Sequence, residues 1–401
     1  MRPRVLVTSA EERSALAACR GLGLAGYDVG AAASRMLAGT HWSRYCRARF
    51  RLPNPVEDPQ GYTARLEEIL ASHEFDVLLP TCDPSVRAIL GARERIEPLV
   101  RLGFPSSAAV TRCLSKVALV QAAISAGLPP PASTICELPT EAKQAADEIG
   151  FPLLVKPAQS VVLLEGVLAH MSATLVSERD DLAAALAASG FPCLLQRFET
   201  AARIFSCAGV IADGNLLAFA FSGYERTWRT PVGSAAFSRT LAPSEGLEEQ
   251  VHALVAELGW QGIFEIELLK VVNGRLMTID FNPRIYGSMA LAIRAGANLP
   301  ALWCDWLMGK EPVPLRARPG FHYRFEEADA RHFIWQIRRY RLREAWAVLR
   351  PHRRTIHAFF QLSDPGPFVA EFLWIASRAG RKAGLTLLSL LRRRRPIARV
   401  L

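Results

Sequence analysis

Residues 263–282 read IFEIELLKVV, then Asn273-Gly274, then RLMTIDFN, two runs alternating between apolar and polar side chains on either side of an Asn-Gly pair. Asn-Gly in that setting favours a two-residue type I′ turn, and so a β-hairpin. With that turn Val272 faces Arg275, and the numbers of every facing pair add to 547. Glu267 then lies opposite Asp280, and Glu265 opposite Asn282. These four share one face of the hairpin, while Ile266, Leu268, Ile279 and Phe281 share the other. Like charges directly across a strand pair repel, so two facing carboxylates beside a carboxamide oxygen ask for a cation. An all-oxygen set suits Mg²⁺, which takes few protein carboxylates and completes its octahedron with water and phosphate oxygens, with Mn²⁺ as the alternative ion. The competing reading is a solvated acidic face on a half-exposed sheet.

Upstream, the chain divides by pattern. Arg4–Thr8, a helix from Glu11 to Gly21 and a strand at Tyr27–Ala33 form a βαβ opening, which implies a parallel sheet with covering helices. Gly21, Gly23 and Gly26 match G-x-G-x-x-G but follow a helix and precede a strand, which is the wrong context for a phosphate loop and the right one for a helix cap. A helix at Gly61–Ala71 leads to the strand Asp76–Pro80 and the polar tip Thr81-Cys82-Asp83. That tip is either a ligand-contacting loop or a helix N-cap. From Cys113 a new α+β block begins. Ser115 caps a helix at Lys116–Ala126, the apolar strand Leu153–Val155 ends in Lys156-Pro157, and Asp213-Gly214 joins a hairpin of Ile204–Ile211 and Leu216–Phe221. Downstream of the first hairpin, Asn282-Pro283-Arg284 carries a guanidinium suited to a phosphoryl group or an anionic substrate, or to serve as counter-ion of Glu265 or Asp280.

Composition excludes several classes. Eight cysteines lie at least 14 residues apart with no C-x-x-C pair, which disfavours a zinc ribbon, a redox motif or a disulfide scaffold. H-E-x-x-H, G-x-S-x-G and G-x4-G-K-[ST] are absent, and the amino terminus offers no signal-peptide core, so a reducing cytoplasmic setting is expected. The formal net charge of +10 is unevenly held: residues 1–315 carry a net −3 and residues 316–401 a net +13. Lysine is rare, with six against 42 arginines, so Lys116 and Lys156 stand out as compact point charges.

Taken in order, these motifs resemble the ATP-grasp superfamily, closest to its carboxylate-amine ligase and carbamoyl-phosphate-synthase-like branches. The match rests on Ser115-Lys116 with Ala126-Gly127-Leu128-Pro129, on Phe151-Pro152-Leu-Leu-Val-Lys156-Pro157, and on Glu267 followed by Asp280-Phe281-Asn282-Pro283-Arg284. The resemblance implies a Rossmann-like pre-ATP-grasp α/β domain at 1–112 and an ATP-grasp domain at 113–315, split into a small subdomain at 113–198 and a metal-binding subdomain at 199–315. It also implies that Lys116 and Lys156 contact ATP phosphates, that Glu267, Asp280 and Asn282 hold Mg²⁺, and that Gln196-Arg197-Phe198-Glu199 is the hinge reading adenine. Arg284 and Lys156 would be the catalytic pair. Two departures stand against the family pattern: the flap position, Ala158–Gly166, has one late glycine, and Ala201-Ala202-Arg203 occupies the place of a ribose-binding acid.

The reaction this implies is ATP-dependent activation of a small-molecule carboxylate as an acyl phosphate, captured by an amine. Arg226, Arg229 and Arg239 are candidate carboxylate clamps or ordinary surface arginines. The alternative is a non-catalytic nucleotide-binding scaffold at a membrane surface. Specific nucleic-acid binding is not expected, because the basic excess comes with no recognised module. Residues 316–401 read as a basic helical appendage. On a helical wheel Phe368, Phe372, Ile375, Leu387 and Leu390 oppose Trp374, Arg378, Arg381 and Lys382. That amphipathic face is expected to pack on the protein body, with contact to a membrane or an anionic polymer as the other reading.

Overall fold

A computed structural model describes residues 2–199, 203–229, 233–272 and 274–378. The amino-terminal unit is a four-stranded sheet in the order Cys46–Arg51, Asp28–Ala33, Arg4–Val7, Val77–Leu79, all parallel. The first helix runs from Arg13 to Leu24, further than the glycines suggested, and the left-handed residue that ends it is Gly26 at φ +92°. Carboxyl ends of the paired strands Arg4–Val7 and Val77–Leu79 point their loops toward the rest of the molecule. Ligands of open α/β sheets bind at such ends.

A second sheet orders Ser133–Cys136, Cys193–Arg197, Leu153–Pro157 and Thr174–Val176, all antiparallel. Its core of Leu153, Val155, Leu195 and the alanines of helices Pro139–Ile149 and Leu182–Ser189 is separate from the others. The third sheet has eight strands. Leu276–Asn282 stands at one edge, followed by Gly262–Lys270, Arg203–Ala212, Asn215–Trp228 and Ser234–Thr240. As expected, the Arg203–Ala212 and Asn215–Trp228 strands turn on Asp213-Gly214. Ala15, Cys19 and Leu22 of the first helix share one buried cluster with Val210, Ala218 and Ile263 of this sheet, so the amino-terminal unit and the large sheet form a continuous core.

The region beyond 315 is helical, at Glu326–Arg338, Leu342–Val348 and residues 366–378, but it is not only helical. His322–Arg324 and Thr355–His357 extend the large sheet beyond Ser234–Thr240, and Leu315–Arg316 pairs with Asn215–Trp228. These strands are too short for period-two patterning to reveal them among arginines. Arg381, Lys382, Leu387 and Leu390 of the helical-wheel reading lie outside the described residues, as do Asn273, Ala201 and Ala202. All eight cysteines are free.

Asp364 fastens this region to the amino-terminal unit. It is 1% exposed, accepts from Arg20 Nε at 2.8 Å and Ser43 Oγ at 2.7 Å, and accepts from the Arg44 backbone N–H at 2.8 Å. Arg20 Nη2 also donates to the Phe359 carbonyl at 2.8 Å. Removing one partner of a buried pair strands the other charge. Asp364→Ala is therefore expected to lower the unfolding free energy by about 3–5 kcal/mol in urea denaturation. A loss below about 1 kcal/mol would mean that water replaces the carboxylate at Arg20.

Candidate functional site

The hairpin pairs Glu267 with Asp280 and Glu265 with Asn282, as the sequence implies, but by a different route. Near the turn the pairs are Lys270 with Leu276 and Leu268 with Thr278, and the Val271 N–H donates to the Arg275 carbonyl. Three positions thus separate the last bonded pair instead of two, and the register there is one residue off. A bulge between Glu267 and Leu268 on one strand and Asp280 and Thr278 on the other leaves Ile279 as the extra residue and restores the register over the carboxylates. The bulge also turns Ile279 to the site, where it lines the cleft, while Ile266, Leu268 and Phe281 face the core as expected.

The acidic face lines a cleft instead of an open surface: Glu265 is buried, and Glu267, Asp280 and Asn282 are half-buried. Glu265 is 4% exposed, accepts from Ser206 Oγ at 2.7 Å and accepts from Asn282 Nδ2 at 3.1 Å. Glu267 accepts from the Tyr224 hydroxyl at 2.8 Å. Asp280 receives the Lys116 ammonium at 2.9 Å. Burial, with Glu265 and Asp280 as negative neighbours, pushes the Glu267 carboxyl up to about 8. Burial also raises Glu265, whereas at Asp280 the same burial is outweighed by Lys116, which holds the carboxyl below its ordinary value. Lys156, which donates to the Ile279 carbonyl at 3.2 Å, is pushed down to about 8 by burial and by its neighbour Lys116. The crowding of Glu265, Glu267 and Asp280 makes full ionisation costly, and a cation bound between them would relieve that cost.

The donor set fits a hard divalent ion. Glu267 and Asp280 face each other, and the Asn282 Oδ1, which accepts from Arg284 Nη2 at 2.9 Å, retains a second lone pair. Among the described residues no three His, Cys, Asp or Glu side chains make a metal cage of their own.

The amino-terminal unit reaches the same place. Asp83, at the start of helix Asp83–Gly91, forms a two-pronged pair with Arg284, Nε to Oδ1 at 2.5 Å and Nη2 to Oδ2 at 3.0 Å. The counter-ion of Arg284 is thus Asp83, and the arginine is not directly bonded to Glu265 or Asp280. Thr81 is buried and donates to the Thr8 carbonyl, so it braces the loop. Gln196, Arg197, Phe198 and Glu199 all line the cleft, whose volume is about 520 Å³, and so do Lys156, Glu267, Asp280, Asn282 and Arg284. Lys116 lies behind it, in a smaller cavity shared with Asp280.

The flap position forms a hairpin of Val161–Leu164 and Val167–His170, turning on Glu165-Gly166, both at positive φ. Val161 and Leu168 are buried with Leu66, Ile69 and Ile89 of the amino-terminal unit, and the Leu168 N–H donates to the Val56 carbonyl at 2.9 Å. Side chains that anchor a hairpin explain why the segment lacks glycines. The candidate clamps do not reach the cleft: Arg226 is held by Asp329 at 2.6 and 2.9 Å, Arg239 pairs with Glu225, and Arg229 is exposed.

Four residues at or behind the cleft wall carry no sequence signal of their own. Ser206 comes from the strand next to the hairpin and Tyr224 from the one after it, and their hydroxyl contacts to Glu265 and Glu267 depend on strand order. Arg13, whose Nε donates to the Gly287 carbonyl at 3.1 Å and whose guanidinium lies 4.2 Å over the Phe325 ring, and Ser288 come from positions far apart in the chain.

No protein-family model matches the sequence. Solved structures do resemble the fold. N5-carboxyaminoimidazole synthetase from Staphylococcus aureus complexed with ADP shares 13% identity over 80% of this chain and 82% of its own, with a TM-score of 0.61. L-amino acid ligase from Bacillus licheniformis shares 16% over 80% and 78%, at 0.59. The biotin carboxylase domain of Hydrogenobacter thermophilus 2-oxoglutarate carboxylase, in complex with MgADP, ADP and bicarbonate, shares 18% over 80% and 73%, at 0.62. The chain has the ATP-grasp fold.

Ionising Glu267 is unfavourable in the folded protein, where its carboxyl titrates at about 8 instead of its ordinary 4.5. A raised acid binds its proton more tightly when folded, so stability relative to an uncharged isostere falls as pH rises from about 4.5 and levels off above about 8. Glu267→Gln is expected to raise the melting temperature of the metal-free protein, and by more at high than at low pH across that window. Equal gains at both ends, in melts with a chelator, would mean that the carboxylate is hydrated.

Proposed function

We propose that this chain is an ATP- and Mg²⁺-dependent ligase that activates a carboxylate as an acyl phosphate for attack by an amine. The observation that carries the reading is the facing carboxylate pair Glu267 and Asp280, with Asn282 beside it, at the wall of a cleft that also holds Lys156, Arg284 and the segment Gln196–Glu199. The known structures with this fold that contain ADP or MgADP support it further.

Glu267, Asp280 and Asn282 would hold Mg²⁺, which when bound draws charge from the phosphate oxygens. Lys156 is the cation best placed for the triphosphate. Its ammonium is pushed down to about 8 by burial beside Lys116, and an arriving polyanion would return it to the fully charged state. Lys116 keeps Asp280 ionised through their 2.9 Å contact. The apolar walls that Leu154, Ile204, Leu269 and Ile279 give the cleft, next to Phe198 and Glu199, suit an adenine ring and its ribose.

In the first step a substrate carboxylate oxygen bonds to the γ-phosphorus while the bond to the β-phosphate oxygen breaks and ADP leaves. In the second the amine nitrogen bonds to the acyl carbon, phosphate departs, and the nitrogen loses its proton. Catalysis is positioning and charge neutralisation, with Arg284, fixed by Asp83, facing the transferred group. A non-catalytic scaffold would be free to lose these groups. Their retention at one site supports the enzyme.

The test is an ADP-release screen of carboxylate and amine pools with Mg²⁺. A productive pair is expected to raise turnover in the wild type and to do so about 100-fold less in Glu267→Gln. If ATP binds but no pair lifts turnover above that variant, the ligase reading fails.

A further inference from the structure

The helix at 366–378 turns its apolar side away from the protein. Phe368, Val369, Phe372, Leu373 and Ile375 are 38–62% exposed. At 100° per residue they span an arc of roughly 160° on one side of the helix. The side facing inward is mixed, with small, acidic and aromatic side chains. Ala370 is fully buried, Glu371 pairs with Arg35 at 2.5 Å, and the same guanidinium lies 4.6 Å over the Trp374 ring. The expected packing on the protein body therefore occurs through the side opposite to the apolar face. A helix at a protein–water boundary does the reverse, placing its apolar stripe against the core.

The neighbouring helices repeat the pattern. Ile334 and Ile337 on Glu326–Arg338, and Leu342, Trp346 and Leu349 at Leu342–Val348 and its cap, are 42–66% exposed. Exposed arginines stand among them: Arg338, Arg339, Arg341, Arg343 and Arg353. Past Arg378 the sequence adds seven further cations and no acid. Large apolar side chains set among cations, in a region of net +13 on a body of net −3, match one surface chemistry. Anionic lipid offers hydrocarbon to the first and phosphate to the second. A second copy would bring +13 against +13, and a nucleic acid offers nothing for Phe372 or Ile375 to enter. Among the described residues no helix is long and apolar enough to cross a membrane.

We propose that the helix at 366–378 docks this protein peripherally on an anionic phospholipid surface, its Phe368, Phe372 and Ile375 face entering the headgroup boundary and the exposed arginines of the neighbouring helices, Arg338, Arg339, Arg341 and Arg343, meeting lipid phosphates. The inference is independent of the ligase reading. Vesicle flotation of the full chain tests it, using phosphatidylcholine alone and phosphatidylcholine mixed with phosphatidylglycerol. The protein is expected to float with the mixed vesicles only, to be released by high salt, and to bind about ten-fold less as Phe372→Glu/Ile375→Glu. The melting temperature of that variant should be unchanged, since both side chains are exposed. No flotation on mixed vesicles at low salt overturns the proposal, and so does equal flotation on both vesicle types. Undiminished binding of the variant would assign the attraction to charge alone and overturn the role of the helix face. A dimer seen by light scattering and lost in the variant would give that face to a second copy.

Discussion

Three carboxylates, Glu265, Glu267 and Asp280, are crowded on one face of a hairpin, Glu265 buried and the other two half-buried at the cleft wall, and the rest of the molecule is arranged around that fact. Buried anions must be hydrogen-bonded and countered. Adjacent strands of the large sheet supply hydroxyls from Ser206 and Tyr224, and Lys116 and Lys156 supply ammonium groups. The amino-terminal unit supplies Asp83, which orients Arg284 against Asn282. The amino-terminal unit, the helix of Lys116, the small sheet and the large sheet each contribute one part of the compensation, and a divalent ion would add to it.

How the hairpin reaches this arrangement shows where sequence reading holds and where it slips. Counting back from an assumed two-residue turn placed Glu267 against Asp280, and that pairing is present although the route to it differs. The turn expected from Asn-Gly does not fit the pairing next to it, and the bulge at Ile279 cancels the resulting one-residue slip. Two departures of opposite sign leave the site intact. Ile279, counted among core residues by parity, is moved to the cleft by that same bulge. The flap is a similar case. Its missing glycines look like a defect in a mobile loop, but Val161 and Leu168 use those positions to anchor a hairpin on the amino-terminal unit.

The carboxy-terminal region is joined to the body by a polar connection, Arg20 with Asp364, and by strands that extend the large sheet. The last described helix meets the amino-terminal unit through Arg35. Its amphipathicity was plain on a wheel, but a wheel has no inside or outside, and only the contacts of Arg35 with Glu371 and Trp374 show which face is turned to solvent.

The sequence by itself determined the βαβ opening, the hairpin and its facing acids, both lysines and the separation of a near-neutral body from a basic end. Those features depend on residues close in the chain, where strand parity, helix caps and charge counts apply directly. Tertiary structure alone decided the pairing of Asp83 with Arg284, the hydroxyls of Ser206 and Tyr224 on the glutamates, the place of Arg13 in the cleft and the outward face of the final helix. Asp83 and Arg284 are 201 residues apart, and Ser206 lies 59 residues from Glu265. Such contacts follow from strand order and domain docking, which are set by the burial of whole faces and leave no local pattern in the chain.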